Sequence, residues 1–200
     1  MADITTLLFD VGGVILTNGW DTSSRQACIE AFDLDWDEFD DRHLYVAGEF
    51  ETGRLTLDGY LDRTVFYKTR EFTRDEFKAA MRQQSQRLPE TLELVAGLSP
   101  GRLLATLNNE SRELNEHRIR TFGLADVFTV FLSSCYLGVK KPDARIYEMA
   151  LELTQSDPSQ CVFVDDRAIN LECANTLGIN GILFENPTRL RYDLQALGVE

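Results

Sequence analysis

The segment Leu7-Leu8-Phe9-Asp10-Val11-Gly12-Gly13-Val14 constrains this chain more than any other. An unbroken apolar run suits a central parallel strand covered on both faces, because a strand with one solvated face would alternate. The carboxylate that ends the run, Asp10, is costly to bury unless it binds a cation or does chemistry. The two glycines after it open backbone conformations closed to other residues and let a ligand approach the main chain closely. Ligands of open parallel sheets sit at the carboxyl ends of strands. A strand, Asp and Gly in succession can also be purely structural, so the distant partners of Asp10 have to decide.

From Thr22 to about Pro89 the pattern is helical, in four segments: SSRQACIEAF, DWDEFDDRHLYVAGEF, TLDGYLDRTVFYKT and TRDEFKAAMRQQSQRL. Their aromatics, Phe32, Trp36, Phe39, Tyr45, Phe50, Tyr60, Phe66, Tyr67, Phe72 and Phe77, are expected to form a core of their own. The acidic cluster of Asp33, Asp35, Asp37, Glu38, Asp40 and Asp41 lacks calcium-loop spacing and reads as a solvated helix start. His43 reads as a surface or hydrogen-bonded histidine.

After Pro89, the helix PETLELVAGL passes through Ser99-Pro100-Gly101 into a second apolar run, LLATLNN, ending in Asn108-Asn109. The helix SRELNEHRIRTF carries a surface His117 and closes on Gly123, a C-cap candidate. A third strand is expected at 127–134. Gly138-Val139-Lys140-Lys141-Pro142-Asp143 opens a helix with the stripe Ile146, Met149, Ala150 and Leu153, and places Pro142 in its first turn. CVFVDD at 161–166 repeats the first motif, with Asp166 and Asn170 on one face of the turn entering the next helix. GILFE at 181–185 and the helix TRLRYDLQALG complete the series. The fold class is α/β: a doubly wound, Rossmann-like parallel five-stranded sheet with an inserted helical bundle. Residues 1–16 and 90–200 form the core domain and 17–89 the inserted cap.

Charge narrows the partners: 33 acidic against 20 basic residues give a net −13, which repels nucleic acid and anionic membrane. No basic region precedes the first apolar run and Asp10 interrupts it early, so a cytoplasmic protein is expected. Cys28, Cys135, Cys161 and Cys173 form no CxxC pair and read as reduced thiols.

Every polar cluster falls at the carboxyl end of a strand, so one cleft can collect Asp10, Asn108, Asn109, Lys141, Asp165 and Asp166. Three carboxylates in one site raise one another's pKa unless a cation neutralises them, and an all-oxygen set suits Mg²⁺. A lysine beside them suits a phosphate. The chemistry implied is Mg²⁺-dependent phosphoryl transfer with an aspartate nucleophile.

The chain also resembles the haloacid-dehalogenase-like (HAD) hydrolases with a C1-type helical cap, in particular sugar-phosphate phosphatases and epoxide-hydrolase N-terminal domains. FDVGGV at 9–14, LNN at 107–109, VKKPDARIY at 139–147 and FVDDRAIN at 163–170 stand in the order of that family's four motifs. The resemblance implies that Asp10 is the nucleophile, forms an aspartyl-phosphate and binds Mg²⁺ together with the Gly12 carbonyl and Asp166. Asp165 is implied as a metal ligand or a carboxylate behind the ligands, with Asn170 outside them. It further implies that Lys141 bridges nucleophile and phosphate, and that Asn108 and Asn109 bind phosphate. Two positions depart from the family: Gly12 stands where most members carry an acid/base Asp, and Asn108 where Ser or Thr is usual. The function expected is hydrolysis of a small phosphorylated metabolite. The alternatives are a 2-haloacid dehalogenase, which needs no metal, and a catalytically weak protein that binds a phosphorylated ligand. Substrate, specificity residues and oligomeric state are left open.

Overall fold

The computed structural model describes residues 3–98 and 101–199, so the expected Ser99-Pro100 turn lies outside the described residues. Strand β1 (Thr6–Phe9) is buried throughout. The chain then leaves the sheet for four helices, each starting at a capping side chain. Asp21 caps α1 (Thr22–Ala31), Asp35 caps α2 (Trp36–Glu51), Thr56 caps α3 (Leu57–Thr64), and Thr73 with Glu76 forms a reciprocal capping box on α4 (Arg74–Gln83). Asp35, Asp37 and Glu38 thus sit at the positive end of α2, which accounts for much of the acidic cluster without a metal.

These helices pack around Phe39, Phe50, Tyr60, Leu61, Phe77 and Met81, with Phe32, Trp36, Phe66 and Phe72 partly buried against them. Phe50 stacks on Tyr60 with ring centroids 4.1 Å apart. Two aromatics depart from the expected core. Tyr45 is 83% exposed, and Tyr67 lies under the Arg42 guanidinium, 3.4 Å from its ring centre.

Beyond them come α5 (Pro89–Ala96), β2 (Leu103–Asn108) and α6 (Arg112–Phe122), which closes on a left-handed Gly123. His117 is half-buried on α6, 3.2 Å from the Thr121 hydroxyl, rather than on the open surface. Strand β3 is only Val130–Ser133: residues before it belong to a 3₁₀ turn and its exit, and Ser134 starts a single-turn helix, α7 (Ser134–Leu137). Asp143 caps α8 (Ala144–Thr154), so Pro142 lies outside that helix, not in its first turn. The remaining elements are β4 (Cys161–Asp165), α9 (Ala168–Thr176), β5 (Asn180–Leu183) and α10 (Pro187–Ala196).

The strands form one parallel sheet in the order β3-β2-β1-β4-β5. Leu7 and Phe9 point into one core with Val162, Val164, Leu94 and Leu190, while Leu8 points into the opposite core with Phe163, Ile146 and Tyr147. Burial on both faces is why β1 reads as a continuous apolar run. No disulfide forms among the described residues: Cys28, Cys135 and Cys161 are buried thiols and Cys173 is partly exposed.

The helical insert docks on the sheet domain at the end of α2. Ser134 Oγ donates to the Glu51 carbonyl at 2.6 Å, Lys140 pairs with the Glu51 carboxylate at 2.5 Å, and the Leu57 N–H donates to Glu113 at 2.9 Å. Gly53 has φ +70, and a methyl group there would overlap the Cys135 carbonyl oxygen. Gly53→Ala combines that overlap with a strained backbone and should cost at least about 1 kcal/mol. Urea unfolding followed by Trp20 and Trp36 fluorescence checks this, and an unchanged midpoint would mean that the helices do not depend on this seam.

Candidate active site

Phe9 lies opposite Val164 in the paired strands β1 and β4, so Asp10 and Asp165 leave the sheet side by side. Lys141 reaches in from the loop before α8. Its ammonium, on a side chain 1% exposed, lies 2.6 Å from Asp165 Oδ2 and 3.1 Å from Asp10 Oδ1. The lysine backbone is fixed by Asn109, whose Oδ1 accepts from the Lys141 N–H at 2.8 Å and whose Nδ2 donates to the Lys141 carbonyl at 2.9 Å.

Asp165 is fully buried and its two oxygens are well supplied. Oδ1 accepts from the Arg167 N–H at 2.8 Å, Oδ2 from Lys141, and both from Asn170 Nδ2 at 3.0 Å. Asn170 therefore serves Asp165 rather than sharing a face with Asp166, because it belongs to α9 while Asp166 lies in the turn before it. Asp166 is the opposite case: its Oδ1 is buried with no hydrogen-bond partner. Gly13, at φ +78, leaves just enough room for that carboxylate, since a Cβ there would overlap it.

Carboxylate oxygens of Asp10, Asp165 and Asp166 lie within 4.8 Å of one another, the one group among the described residues spaced to hold a metal ion. Burial, more than mutual repulsion, sets the titration of Asp10 and Asp166. It pushes Asp10 up to about 6, against the pull of Lys141 and with a smaller push from Asp165. Burial likewise raises Asp166, with Asp165 adding to it. Three carboxylates face one ammonium, and a divalent cation would balance the remaining charge.

Asn108 does not join this group. Its amide donates to Asn115 Oδ1 at 3.1 Å and its oxygen accepts from Ser133 Oγ at 2.8 Å, in a buried ring of three side chains closed by Asn115 and Ser133. The expected phosphate contact by Asn108 is thereby corrected: its register beside Ser133 turns the side chain into the domain. Asn109 stays on the site wall, acting as the clamp on Lys141.

Asp10, Gly12, Asn109, Lys141 and Asn170 form the floor of a cavity of about 550 Å³, and Trp20, Arg25, His43, Phe50 and Glu51 of the helical insert form its roof. Three wall features carried no sequence signal. Asn18 Oδ1 stands 2.8 Å from the place a Cβ on residue 12 would take. Glu110 and Arg118 form a buried ion pair at 3.0 Å, and Arg118 also donates to the Thr17 carbonyl at 2.7 Å, tying down the strand-to-helix linker. Burial raises the Glu110 carboxyl while Arg118 pulls it back. Arg25 donates to the Trp20 carbonyl at 2.7 Å. Among the described residues no helix is long and apolar enough to cross a membrane.

Comparison with known proteins matches this geometry to a family. The model of the haloacid dehalogenase-like hydrolases matches residues 4–178. Flavin mononucleotide hydrolase 1 of Arabidopsis thaliana is 31% identical over 79% of this chain and 64% of its own length. (S)-2-haloacid dehalogenase 4A of Burkholderia cepacia is 29% identical over 60% of this chain and 52% of its own. The chain thus spans less than two thirds of either curated relative. A HAD family enzyme of Bacteroides thetaiotaomicron, solved with magnesium and inorganic phosphate, superposes with a TM-score of 0.76 at 23% identity, covering 94% of this chain and 98% of that one. The chain belongs to the haloacid dehalogenase-like hydrolases.

Proposed function

We propose that this hydrolase is a Mg²⁺-dependent phosphatase of a small phosphorylated metabolite, with Asp10 as nucleophile. The observation that carries the reading is the buried, unpartnered Asp166 oxygen beside Asp10, in a carboxylate group whose charge one lysine does not balance. The residues fit the ion: Asp10, Asp166 and the Gly12 carbonyl, which accepts no hydrogen bond from a described residue, would hold Mg²⁺. Asp165 would stand behind them, since its oxygens already serve Lys141 and Asn170. When bound, the ion supplies positive charge to the phosphoryl oxygens. The fold is divided, in this proposal, into a core of 1–16 and 90–200 and a cap of 17–89. The name of the Arabidopsis relative supports a phosphomonoester substrate.

Val11 N–H and Lys141 engage Asp10 Oδ1 at 2.7 and 3.1 Å, which leaves Oδ2 to attack phosphorus. The ester P–O bond breaks with its electron pair on the leaving oxygen, which takes a proton from solvent because residue 12 has no side chain to give one. Water then attacks the aspartyl-phosphate, the P–O bond to Asp10 breaks, and the carboxylate returns with release of inorganic phosphate. Lys141 neutralises charge throughout without moving, because Asn109 and Asp165 hold it.

Asp10→Asn should cut phosphate release by more than about 10³-fold with the fold intact by circular dichroism, since an amide is no nucleophile. Activity near that of the unmodified protein would sink the mechanism.

Asp166→Asn should raise the Mg²⁺ concentration for half-maximal activity by about 10-fold or more, as a hard anionic ligand is lost. A metal titration in an EDTA-stripped background reads this, and the same background separates the dehalogenase alternative: chloride release from (S)-2-chloropropionate that survives EDTA would favour it.

A positioned acid/base contributes about 10²- to 10⁴-fold, so without one at residue 12 good leaving groups should react far faster than poor ones. Aryl phosphates should show a pre-steady-state burst, because attack of unactivated water becomes the slow step. Equal rates for aryl and alkyl phosphates, with no burst, would mean that another group has taken the role.

A further inference from the structure

The cavity roof contains one imidazole, His43, and its hydrogen bonds define its chemistry. His43 is 6% exposed on α2, and its Nδ1 lies 2.8 Å from Tyr60 Oη. Trp20 Nε1 lies 3.0 Å from the same oxygen. An indole N–H can only donate, so Tyr60 Oη accepts from Trp20, and we assign the phenol hydrogen to His43 Nδ1, which lies 2.8 Å away. In that assignment Nδ1 carries the lone pair and the ring proton sits on Nε2. Nε2 has no partner among the described residues and is not sealed from solvent.

Three further observations fix the device. His43, Ala47 and Phe50 recur at helical spacing on the cavity side of α2, with the small Ala47 leaving room beside the ring. Tyr60 is fully buried and stacked on Phe50, so the phenol cannot swing away. Burial, with Arg25 and Lys140 adding to it, pushes the His43 pKa down to about 4, while burial pushes the Tyr60 phenol up. The ring is thus neutral at physiological pH.

We infer that His43 is a specificity-determining residue: its Nε2–H is a fixed donor that selects leaving groups bearing a neutral acceptor oxygen over purely apolar ones. This rests on the phosphatase reading and goes beyond it by naming what the roof recognises. The same hydrogen bonds exclude His43 as the acid/base absent from residue 12. With Nδ1 holding the Tyr60 hydrogen, Nε2 has no lone pair to act as base, and a neutral imidazole N–H is too weak an acid to serve as proton source.

The test has two arms. Long-range ¹H–¹⁵N correlation spectra at neutral pH should show the Nε2–H tautomer in the unmodified protein and a tautomer mixture in Tyr60→Phe. An Nδ1–H tautomer in the unmodified protein overturns the inference. In the second arm, kcat/KM is measured with Mg²⁺ for two matched pairs, propyl phosphate with glycerol 3-phosphate and pentyl phosphate with ribitol 5-phosphate. His43→Leu should lower the polyol-to-alkyl ratio about 3- to 10-fold in at least one pair, the loss of one neutral hydrogen bond, and His43→Gln should restore part of it. An unchanged ratio in His43→Leu overturns the inference, and His43→Phe, which also lacks the donor, decides in the same way if His43→Leu does not fold. Absence of phosphate release from all four esters and from an aryl phosphate by the unmodified protein would instead count against the phosphatase reading. The roof donor would then be judged on its tautomer and on calorimetric binding of ribitol 5-phosphate, where equal affinity of the unmodified protein and His43→Leu overturns it.

Discussion

The Lys141 ammonium, held between Asp10 and Asp165, is the contact on which the site depends. An ammonium this deeply buried is costly unless carboxylates face it, and the carboxylates are costly to bury without it. Neither partner can be removed cheaply. The surrounding side chains exist to keep the pair in register: Asn109 fixes the lysine backbone from β2, and Asn170 fixes the Asp165 carboxylate from α9. Three strands and one helix are thereby locked to a single ammonium. Asp166 alone remains unsatisfied, so the open valence of the site is confined to one carboxylate that Gly13 admits to the floor.

The roof is stabilised independently by its aromatic cluster, yet it is tied to the floor at two places, the start of the insert and the end of α2. The Arg118 bond to the Thr17 carbonyl pins the outgoing linker, and the Glu51 and Gly53 contacts pin the end of α2. Because α2 carries His43, Ala47 and Phe50, its docking against α7 sets how far His43 stands from Asp10. Buried ion pairs contribute little net stability; here Glu110 and Arg118 set geometry, fixing a linker whose position the apolar core does not determine.

Much of this was legible in the sequence because it depends on local pattern. The apolar runs ending in Asp10, Asn108 and Asp165 mark strand ends, and a parallel sheet brings strand ends together without further information. Gly123 marked the end of α6. What could not be read depends on side-chain direction and on contacts between distant segments. Asn108 sits at the right strand end but turns inward to Asn115 and Ser133. Asn170 has the right spacing from Asp166 but serves Asp165, because the helix begins only at Ala168. Tyr45 has the composition of a core residue and the helical phase of a surface one. The Arg118 bond to Thr17 and the His43 bond to Tyr60 join residues far apart in sequence, where no periodicity links them.

The glycine at residue 12 belongs to this same web. A carboxylate-bearing side chain there would bring its Cβ to 2.8 Å from Asn18 Oδ1, and Asn18 lies on the linker that Arg118 holds through Thr17. Introducing an acid would therefore displace the linker or the Asn18 side chain, and would add a fourth carboxylate to a site where three already face one ammonium. Burial raises the cost of each added charge. Steric and electrostatic terms thus act in the same direction, and both favour a backbone-only residue at this turn. In the proposed phosphatase reaction the proton inventory is then set by solvent and by the leaving group, while His43 would contribute a donor that recognises the leaving group without exchanging a proton with it.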